Sequence, residues 1–219
     1  MQYLAILSVL VLSYLFGSVP SGLVIVKLIT GKDIRAVESG RTGGTNAMRA
    51  AGFWAGIATA LMDLFKGTLA VWVAREIAPT LPWVHVLAGI AAILGHNYSI
   101  FLIERIENGG LRLRGGAGGA PAVGAALGLW PPSILIILPL AVLILYFGGY
   151  ASLATLSVGA ITFGIFAYRA GIGASPWWYM FYGLLAEIVL LWSLRPNIRR
   201  LLNGTERLIG YRARRKKAA

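Results

Sequence analysis

Long apolar runs are the feature that most restricts how this chain can fold. The run from Phe53 to Ala74 has few polar interruptions, and comparable runs fill most of the 219 residues. A helix needs about 20 apolar residues to cross a bilayer, and only helices and closed barrels satisfy their backbone hydrogen bonds in lipid. The sequence is 58% hydrophobic and 13% charged, whereas soluble domains carry about 25% charged residues. It therefore predicts an all-α integral membrane protein.

The number of apolar runs predicts about seven transmembrane helices, some of them short or broken. The runs begin near residues 3, 53, 83, 120, 133, 153 and 177. Basic residues concentrate in the connections 28–52 and 103–119 and in an amphipathic tail, 195–219, and a short connection, 148–152, falls on the same side. Because cytoplasmic loops are enriched in Lys and Arg, we expect the N-terminus outside and the C-terminus in the cytoplasm. The whole chain, 1–219, is predicted to form a single polytopic domain.

Charge and cysteine content limit the possible partners and chemistries. The net charge of +12 falls in loops between apolar runs rather than on one soluble face, which predicts contact with membrane lipids and not with nucleic acid. The chain has no cysteine, which excludes disulfides, thiol nucleophiles and cysteine-based zinc sites. No metal or other cofactor is predicted.

The connection after the first run has the composition of an anion-binding loop, which we call the cradle, residues 39–52. It combines glycines, hydroxyl groups, an amide and two arginines, and it contains no acidic residue. Glycines allow several backbone N–H groups to face one point, and a guanidinium pairs bidentately with phosphate oxygens. Its candidate phosphate ligands are Arg41, Gly43, Gly44, Thr45, Asn46 and Arg49. An ordinary basic connector, held in the cytoplasm by its charge, is the alternative interpretation.

A second glycine-rich segment, which we call the glycine loop, covers residues 115–119. Arg112 and Arg114 precede Gly115, Gly116 and Gly118, and an apolar run follows at once. A glycine-rich turn at a helix N-terminus favours anion binding, because free N–H groups and the positive end of the helix dipole converge there. The segment lacks the Gly-Lys-Ser/Thr of a nucleotide P-loop, so ATP and GTP are not expected ligands.

Polar residues inside or beside the apolar runs are further site candidates. Asp63 and Lys66 are three residues apart, so they share one helical face and can pair. Ser21 lies within the polar insert Gly17 to Gly22, and His96 stands near the end of the third run. Each has a structural alternative: a bracing ion pair, close helix contact, or a hydrogen-bonded buried histidine.

Taken together in order, these motifs resemble the bacterial acyl-phosphate-dependent glycerol-3-phosphate acyltransferases, the PlsY family. The resemblance extends from Gly17 to about Glu206. It is carried by Gly-Ser-Val-Pro-Ser-Gly at 17–22, the cradle, Asp-Leu-Phe-Lys-Gly at 63–67, Gly-His-Asn-Tyr-Ser-Ile-Phe-Leu at 95–102, the glycine loop, and Asn-Ile-Arg-Arg-Leu-Leu-Asn-Gly-Thr-Glu at 197–206.

The resemblance implies a seven-helix enzyme of the bacterial inner membrane with its active site on the cytoplasmic face. It would move an acyl group from acyl phosphate to the 1-hydroxyl of glycerol 3-phosphate, giving lysophosphatidic acid and phosphate. It assigns activity to Ser39 and Arg49 with Asn46 beside them, a further catalytic role to Asn197, and a structural role to Glu206. The glycine loop would bind glycerol 3-phosphate. A soluble enzyme that produces acyl phosphate is an implied partner.

The chain departs from the family pattern at several positions. Ala117 stands where the family has a lysine in the glycine loop, and Arg41 stands where asparagine is usual. In the third motif of the family, which corresponds to residues 194–206 of this chain, Leu194 and Pro196 replace a histidine and a glutamate. Arg114, or Arg112, is predicted to supply the missing cation.

Two other functions remain open from the sequence. These departures are compatible with a divergent relative that uses another phosphorylated acceptor or has little activity. Broken helices with inward-facing charges also build small-anion transporters. The grouping of polar motifs on one side favours an enzyme over a transporter.

Overall fold

The protein, described here by a computed structural model covering residues 1–107 and 109–213, is a bundle of helices with one small β-hairpin. The α-helices are α1 (Gln2–Ser18), α2 (Ser21–Thr30), α3 (Gly44–Ala51), α4 (Phe53–Ile77), α5 (Pro82–Asn97), α6 (Gly119–Leu129), α7 (Ile134–Gly148), α8 (Ala151–Gly171), α9 (Trp178–Ser193) and α10 (Arg195–Leu202). Short 3₁₀ turns occupy Ile34–Ala36 and Pro131–Ser133.

Four stretches within the described residues are long and apolar enough to cross a membrane. They are Gln2–Thr30, Phe53–Ile77, Pro131–Gly148 and Ala151–Gly171. The apolar helices α6 and α9 are shorter. The prediction of a multi-pass membrane protein, mostly helical and with broken segments, is therefore confirmed.

The expectation of an all-helical chain was wrong for one element. Residues 99–105 and 111–114 form antiparallel strands β1 (Ser99–Arg105) and β2 (Leu111–Arg114). In this hairpin Ile103 pairs with Leu113 and Glu104 with Arg112. The predicted third run extended to Phe101, but α5 ends at Asn97 and the chain continues as a strand in which Ser99 and Leu102 are the buried residues. The hairpin directs Glu104 and Arg114 toward the cradle.

The core lies where α4, α5, α6, α8 and α9 meet. Its buried side chains include Val71, Ile93, Phe166 and Tyr182. The Tyr182 hydroxyl donates a 2.7 Å hydrogen bond to the carbonyl of Ala122, so this phenol crosses from α9 to α6 without an unpaired polar atom. The core supports one end of α5 and the glycine loop that follows it.

Glycines at the contact between α4 and α6 allow these two helices to approach closely. A Cβ on Gly67 of α4 would overlap the carbonyl of Pro121, and a Cβ on Gly124 of α6 would overlap the carbonyl of Leu64. Close backbone contact at small residues is the usual way in which membrane helices associate. The α4–α6 contact fixes the start of α6, where the glycine loop ends.

The described part of the tail packs back on the bundle. The backbone N–H of Ile209 donates to the carbonyl of Gly149, and Arg212 donates to the carbonyl of Gly148. Arg207 forms an ion pair with Glu38, next to the predicted catalytic Ser39. The basic residues Arg214, Arg215, Lys216 and Lys217, which belong to the predicted amphipathic tail, lie outside the described residues.

Candidate active site

The cradle is shaped by a buried amide beneath it. Asn46, on α3, is 2% exposed, and its Nδ2 lies 3.1 Å from the carbonyl oxygen of Ile34, 3.0 Å from that of Val37 and 2.9 Å from that of Arg41. These contacts draw residues 34–41 over the start of α3. Asn46, predicted as catalytic, thus organises the backbone of the loop that carries Ser39.

The start of α3 presents free backbone donors. Gly43 precedes the helix in an extended conformation, and Gly44 and Thr45 are its first two residues. The first N–H groups of a helix have no partner within it and carry the positive end of the helix dipole. Ser39 is exposed, and its Oγ accepts a 3.4 Å hydrogen bond from the N–H of Arg41.

Arg41 joins three distant segments. Its guanidinium donates to the carbonyl of Gly116 at 2.9 Å, to Ser193 Oγ at 3.1 Å and to the carbonyl of Ser193 at 2.7 Å. Beside it, the N–H of Thr42 donates to the carbonyl of Gly115 at 3.2 Å. Burial lowers the pKa of Arg41 from its ordinary value. The cradle and the glycine loop therefore lie side by side, with the partly buried guanidinium of Arg41 at their junction.

The glycine loop depends on glycine for its shape. Gly118 has φ +93° and precedes α6, a backbone conformation that side chains disfavour. The N–H of Gly116 donates to the carbonyl of His96 at 2.8 Å. A Cβ on Gly116 would overlap Nε2 of His96. The loop thus folds directly against the imidazole at the end of α5.

A buried ion pair stands behind that imidazole. Lys66 Nζ lies 2.7 Å from Asp63 Oδ1, as the three-residue spacing predicts, and both side chains are nearly inaccessible. Lys66 also donates to the carbonyl of Val19 at 2.8 Å and contacts His96 Nδ1 at 3.3 Å. Ser21 is buried and its Oγ has no hydrogen-bond partner among the residues described.

The third motif is built around one carboxylate. Glu206 Oε1 accepts hydrogen bonds from Asn197 Nδ2 at 2.8 Å and from Ser152 Oγ at 3.2 Å. Its Oε2 accepts from Arg200 Nε at 2.9 Å. Glu206 therefore orients Asn197, whose buried Oδ1 has no hydrogen-bond partner in the described part of the chain.

Arg49 differs from Arg41 in having an open guanidinium. No hydrogen bond or ion pair from its side chain is formed within residues 1–107 and 109–213. Burial lowers the pKa of Arg49, and the negative charge of Glu206 opposes that shift. The charge of Arg49 therefore interacts with Glu206 through space, and no direct ion pair neutralises it.

The hairpin arginines are engaged to different extents. Arg114 Nε lies 2.5 Å from Glu104 Oε2, and Glu104 Oε1 lies 3.4 Å from Arg35 Nη1. A Cβ on Gly40 would lie 2.9 Å from the Arg114 guanidinium, so this group borders the cradle. Arg112 is exposed on β2.

An apolar cavity of about 370 Å³ lies beside the buried ion pair. Its lining is almost entirely hydrophobic, except for Ser21 and Lys66. The apolar lining residues are Phe16, Val19, Leu61, Met62, Phe65 and Leu69. The cavity opens at the surface, where Leu61, Met62 and Phe65 are exposed, and its apolar lining suits a hydrophobic ligand.

Sequence reasoning did not select several residues that organise this site. Ser152 contacts Glu206, Ser193 receives Arg41, and Glu104 holds Arg114. Asn97 follows His96 and is buried, and its amide atoms have no hydrogen-bond partner among the residues described. A polar residue next to His96 at the end of an apolar helix was the available signal for Asn97. The contacts of Ser152 and Ser193 join distant parts of the sequence, and that of Glu104 depends on the hairpin, which was not predicted.

Comparison with known proteins identifies the family. The sequence profile of the glycerol-3-phosphate acyltransferase family matches residues 7–204. A curated glycerol-3-phosphate acyltransferase of Thermus thermophilus is 38% identical over 207 residues, covering 93% of this chain and 95% of the relative. The corresponding protein of Rubrobacter xylanophilus is 37% identical over 202 residues, covering 92% and 94%.

The fold agrees with a solved structure. A crystal structure of PlsY (YgiH), an integral membrane glycerol 3-phosphate acyltransferase in its glycerol 3-phosphate form, superposes with a TM-score of 0.79 at 30% identity. The superposition covers 94% of this chain and 96% of that one. Its lysophosphatidic acid form gives a TM-score of 0.76 at 28% identity, covering 94% and 95%. By sequence along nearly its whole length and by fold, this chain belongs to the glycerol-3-phosphate acyltransferase family.

Proposed function

We propose that the protein transfers an acyl group from acyl phosphate to the 1-hydroxyl of glycerol 3-phosphate, giving lysophosphatidic acid and inorganic phosphate for phospholipid synthesis. One observation carries the proposal: the cradle and the glycine loop, both suited to anions, are held side by side by hydrogen bonds from Arg41 and Thr42. A reaction between two phosphate-bearing substrates requires two such sites side by side.

The chemistry suits a site of this composition. Acyl phosphate is a mixed anhydride with a good leaving group, so the acceptor hydroxyl can attack its carbonyl carbon while the bond from the carbonyl carbon to the bridging oxygen breaks. In the balanced reaction the hydroxyl proton ends on the released phosphate. The protein contributes by bringing the reactants together and by offsetting negative charge as phosphate departs.

The open guanidinium of Arg49 is proposed to bind a substrate phosphate, and the hydroxyl of Ser39 is proposed to donate a hydrogen bond to a substrate. Asn197, held by Glu206, offers an unpartnered Oδ1. The N–H groups of Gly44 and Thr45 and those of the glycine loop complete the two anion sites.

Arg41 and Arg114 are proposed to share the role of the lysine that Ala117 replaces. Arg41 contacts the carbonyl of Gly116, the residue before Ala117, and three of its five N–H groups are used in hydrogen bonds to the protein. Arg114 borders the cradle but is paired with Glu104. The more exposed Arg112 is available to attract anionic substrates from solution.

The acyl chain is proposed to occupy the cavity lined by Phe16, Leu61 and Phe65. This places its polar end near Ser21 and Lys66. The volume of about 370 Å³ and the apolar lining support an alkyl ligand. His96, bonded to Lys66, lies between this cavity and the glycine loop.

We propose seven spans in a bacterial inner membrane, with the candidate active site and the C-terminus in the cytoplasm and the N-terminus outside. The distribution of arginines and lysines supports this orientation. Reporter tags at the two termini should report opposite sides of the membrane, and tags on the same side would contradict the seven-span arrangement. A soluble acyl-phosphate-producing partner remains a prediction from the family.

The test of the proposed reaction is transfer of a labelled acyl chain from acyl phosphate to glycerol 3-phosphate by purified protein in lipid. Arg49→Ala should abolish transfer, because the substrate phosphate would lose the positive charge that binds it. Arg105→Ala, which removes an exposed arginine of β1, is the matched control and should retain transfer. If the intact protein does not acylate glycerol 3-phosphate but does acylate another phosphorylated acceptor, glycerol 3-phosphate is not its substrate.

The same assay over a range of glycerol 3-phosphate concentrations examines Arg114. Arg114→Ala should raise the glycerol 3-phosphate KM about three-fold or more, a modest effect because Arg114 is partly exposed and already paired. An unchanged concentration dependence would remove Arg114 from the phosphate site.

A further inference from the structure

The imidazole of His96 connects the buried ion pair to the glycine loop. One ring nitrogen, Nδ1, lies 3.3 Å from Lys66 Nζ, and the other, Nε2, lies against Gly116 where a side chain would otherwise stand. His96 is 5% exposed. Nδ1 therefore faces the ion pair, and Nε2 faces the glycine loop. If the single ring proton is on Nε2, that nitrogen is a hydrogen-bond donor to a ligand; if it is on Nδ1, Nε2 is an acceptor.

Lys66 determines that position. An ammonium group has three N–H donors and no acceptor. Within residues 1–107 and 109–213, Lys66 Nζ contacts the Val19 carbonyl at 2.8 Å, Asp63 Oδ1 at 2.7 Å and His96 Nδ1 at 3.3 Å. A donor-only neighbour requires Nδ1 to accept, so the ring proton must be on Nε2.

The alternative arrangements fit the geometry less well. A proton on Nδ1 would point toward the ammonium of Lys66 at 3.3 Å, and its other acceptor, Asp63 Oδ1, is 3.6 Å away, beyond hydrogen-bond distance. A doubly protonated ring would place two cations beside the one carboxylate of Asp63. In the neutral tautomer with hydrogen on Nε2, Nδ1 accepts from Lys66, so this tautomer matches the contact of the ring with the ammonium group.

From this we infer that Lys66, anchored by Asp63, is a positioning residue that holds His96 as the Nε2–H tautomer and so presents a fixed hydrogen-bond donor to an anion bound at the glycine loop. The inference rests on the proposed function for the identity of that anion, a substrate phosphate. The tautomer itself follows from the contacts of Lys66 alone. Among the residues described, Nε2 of His96 has no hydrogen-bond partner, so the donor is free for a ligand.

The direct test is the ¹⁵N spectrum of histidine-labelled protein in lipid nanodiscs at neutral pH. The chain has two histidines, and a His96→Gln variant assigns their signals. The wild-type His96 should show a proton bonded to Nε2 and none on Nδ1. A proton on Nδ1, or on both nitrogens, would overturn the inference, and this measurement requires no enzymatic activity.

Variants then test whether Lys66 sets the tautomer. The pair Asp63→Asn with Lys66→Met removes the donor without leaving an unpaired buried carboxylate, and it should give His96 a mixture of tautomers. Asp63→Asn alone is the matched control: the ammonium remains, so the Nε2–H signal should persist. An unchanged His96 signal in the pair would show that Lys66 does not act on the ring.

A double-mutant comparison separates positioning from general structural support. In the native background the Asp63→Asn, Lys66→Met pair should lower kcat by about ten- to one hundred-fold, the effect expected for one lost charge-assisted hydrogen bond. A glutamine at position 96 has no tautomer to set, so in the His96→Gln background the same pair should change kcat little further. Equal losses in both backgrounds would mean that the ion pair only supports the fold.

These measurements also separate this inference from the proposed function. If the spectra show the Nε2–H tautomer but no acyl transfer occurs, the proposed reaction fails and the positioning by Lys66 stands. If transfer occurs but the proton is on Nδ1, the reaction stands and the inference fails. Lys32→Met, at an exposed lysine, is the control for loss of a positive charge and should leave both measurements unchanged.

Discussion

Each end of α5 carries a buried histidine, and the two histidines differ in how many of their ring nitrogens are hydrogen-bonded. His85, near the start, and His96, near the end, are both buried, at 3% and 5% exposure. His85 Nε2 donates to the Ala78 carbonyl at 2.9 Å, and its Nδ1 accepts from the Tyr179 hydroxyl at 3.0 Å. His96 has one ring nitrogen bound by Lys66 and the other turned to the glycine loop.

The same contrast holds for the arginines at the two ends. Arg75, whose charge acts on His85 and Tyr179, donates to the carbonyl of Gly128 at 2.9 Å. Arg49, at the other end, makes no hydrogen bond with the described residues. Buried polar groups are normally satisfied within the protein, and each exception requires an explanation. We conclude that His85 and Arg75 serve stability, because their polar groups are paired within the protein, whereas His96 and Arg49 keep N–H donors available for ligands.

A large effect on the rate of transfer is expected from filling the space beside His96. Gly116→Ala would place a Cβ on His96 Nε2, which must displace the ring or the loop. Because misplacement by about 1 Å at a reacting site costs about one hundred-fold in rate, transfer should fall by about that factor or more. Gly164→Ala on α8 is the matched control, since its Cβ would have no neighbour within 4 Å. Full activity of Gly116→Ala would break the contrast between the two ends.

A smaller effect, and one on stability rather than rate, is expected at the His85 end. His85→Phe removes the hydrogen bonds to Ala78 and Tyr179, and lost buried hydrogen bonds cost about 1–3 kcal/mol. The denaturation midpoint in detergent should fall, whereas kcat and KM of the folded enzyme should stay at their native values. His85→Gln, which keeps a donor and an acceptor, should recover part of the loss. A changed KM with native stability would mean that His85 belongs to the site.

Local patterns in the sequence predicted much of this architecture. Apolar runs indicated the membrane helices, glycine content indicated both loops of the site, and the three-residue spacing predicted the pair Asp63 and Lys66, which lie 2.7 Å apart. These features depend on residues close together in the chain, so their physical consequences can be derived without the fold.

Contacts between distant residues were not predictable in the same way. Arg41 reaches Ser193, 152 positions away, and Lys66 reaches the carbonyl of Val19, 47 positions away. Strand β1 was missed because its apolar residues continue the run of α5. A composition that identified anion-binding loops therefore could not show that Arg41 joins them or that Lys66 faces His96.

Equilibrium binding of labelled glycerol 3-phosphate to the purified protein in nanodiscs tests the contrast between the two ends most directly. The native chain is compared with Arg49→Ala, at the His96 end, and Arg75→Ala, at the His85 end. We predict that Arg49→Ala weakens binding at least ten-fold, as expected for loss of a charged phosphate contact of about 1.5–3 kcal/mol, and that Arg75→Ala binds as the native protein does. Native affinity in Arg49→Ala, or equal loss in both variants, would contradict the assignment of the site to the His96 end.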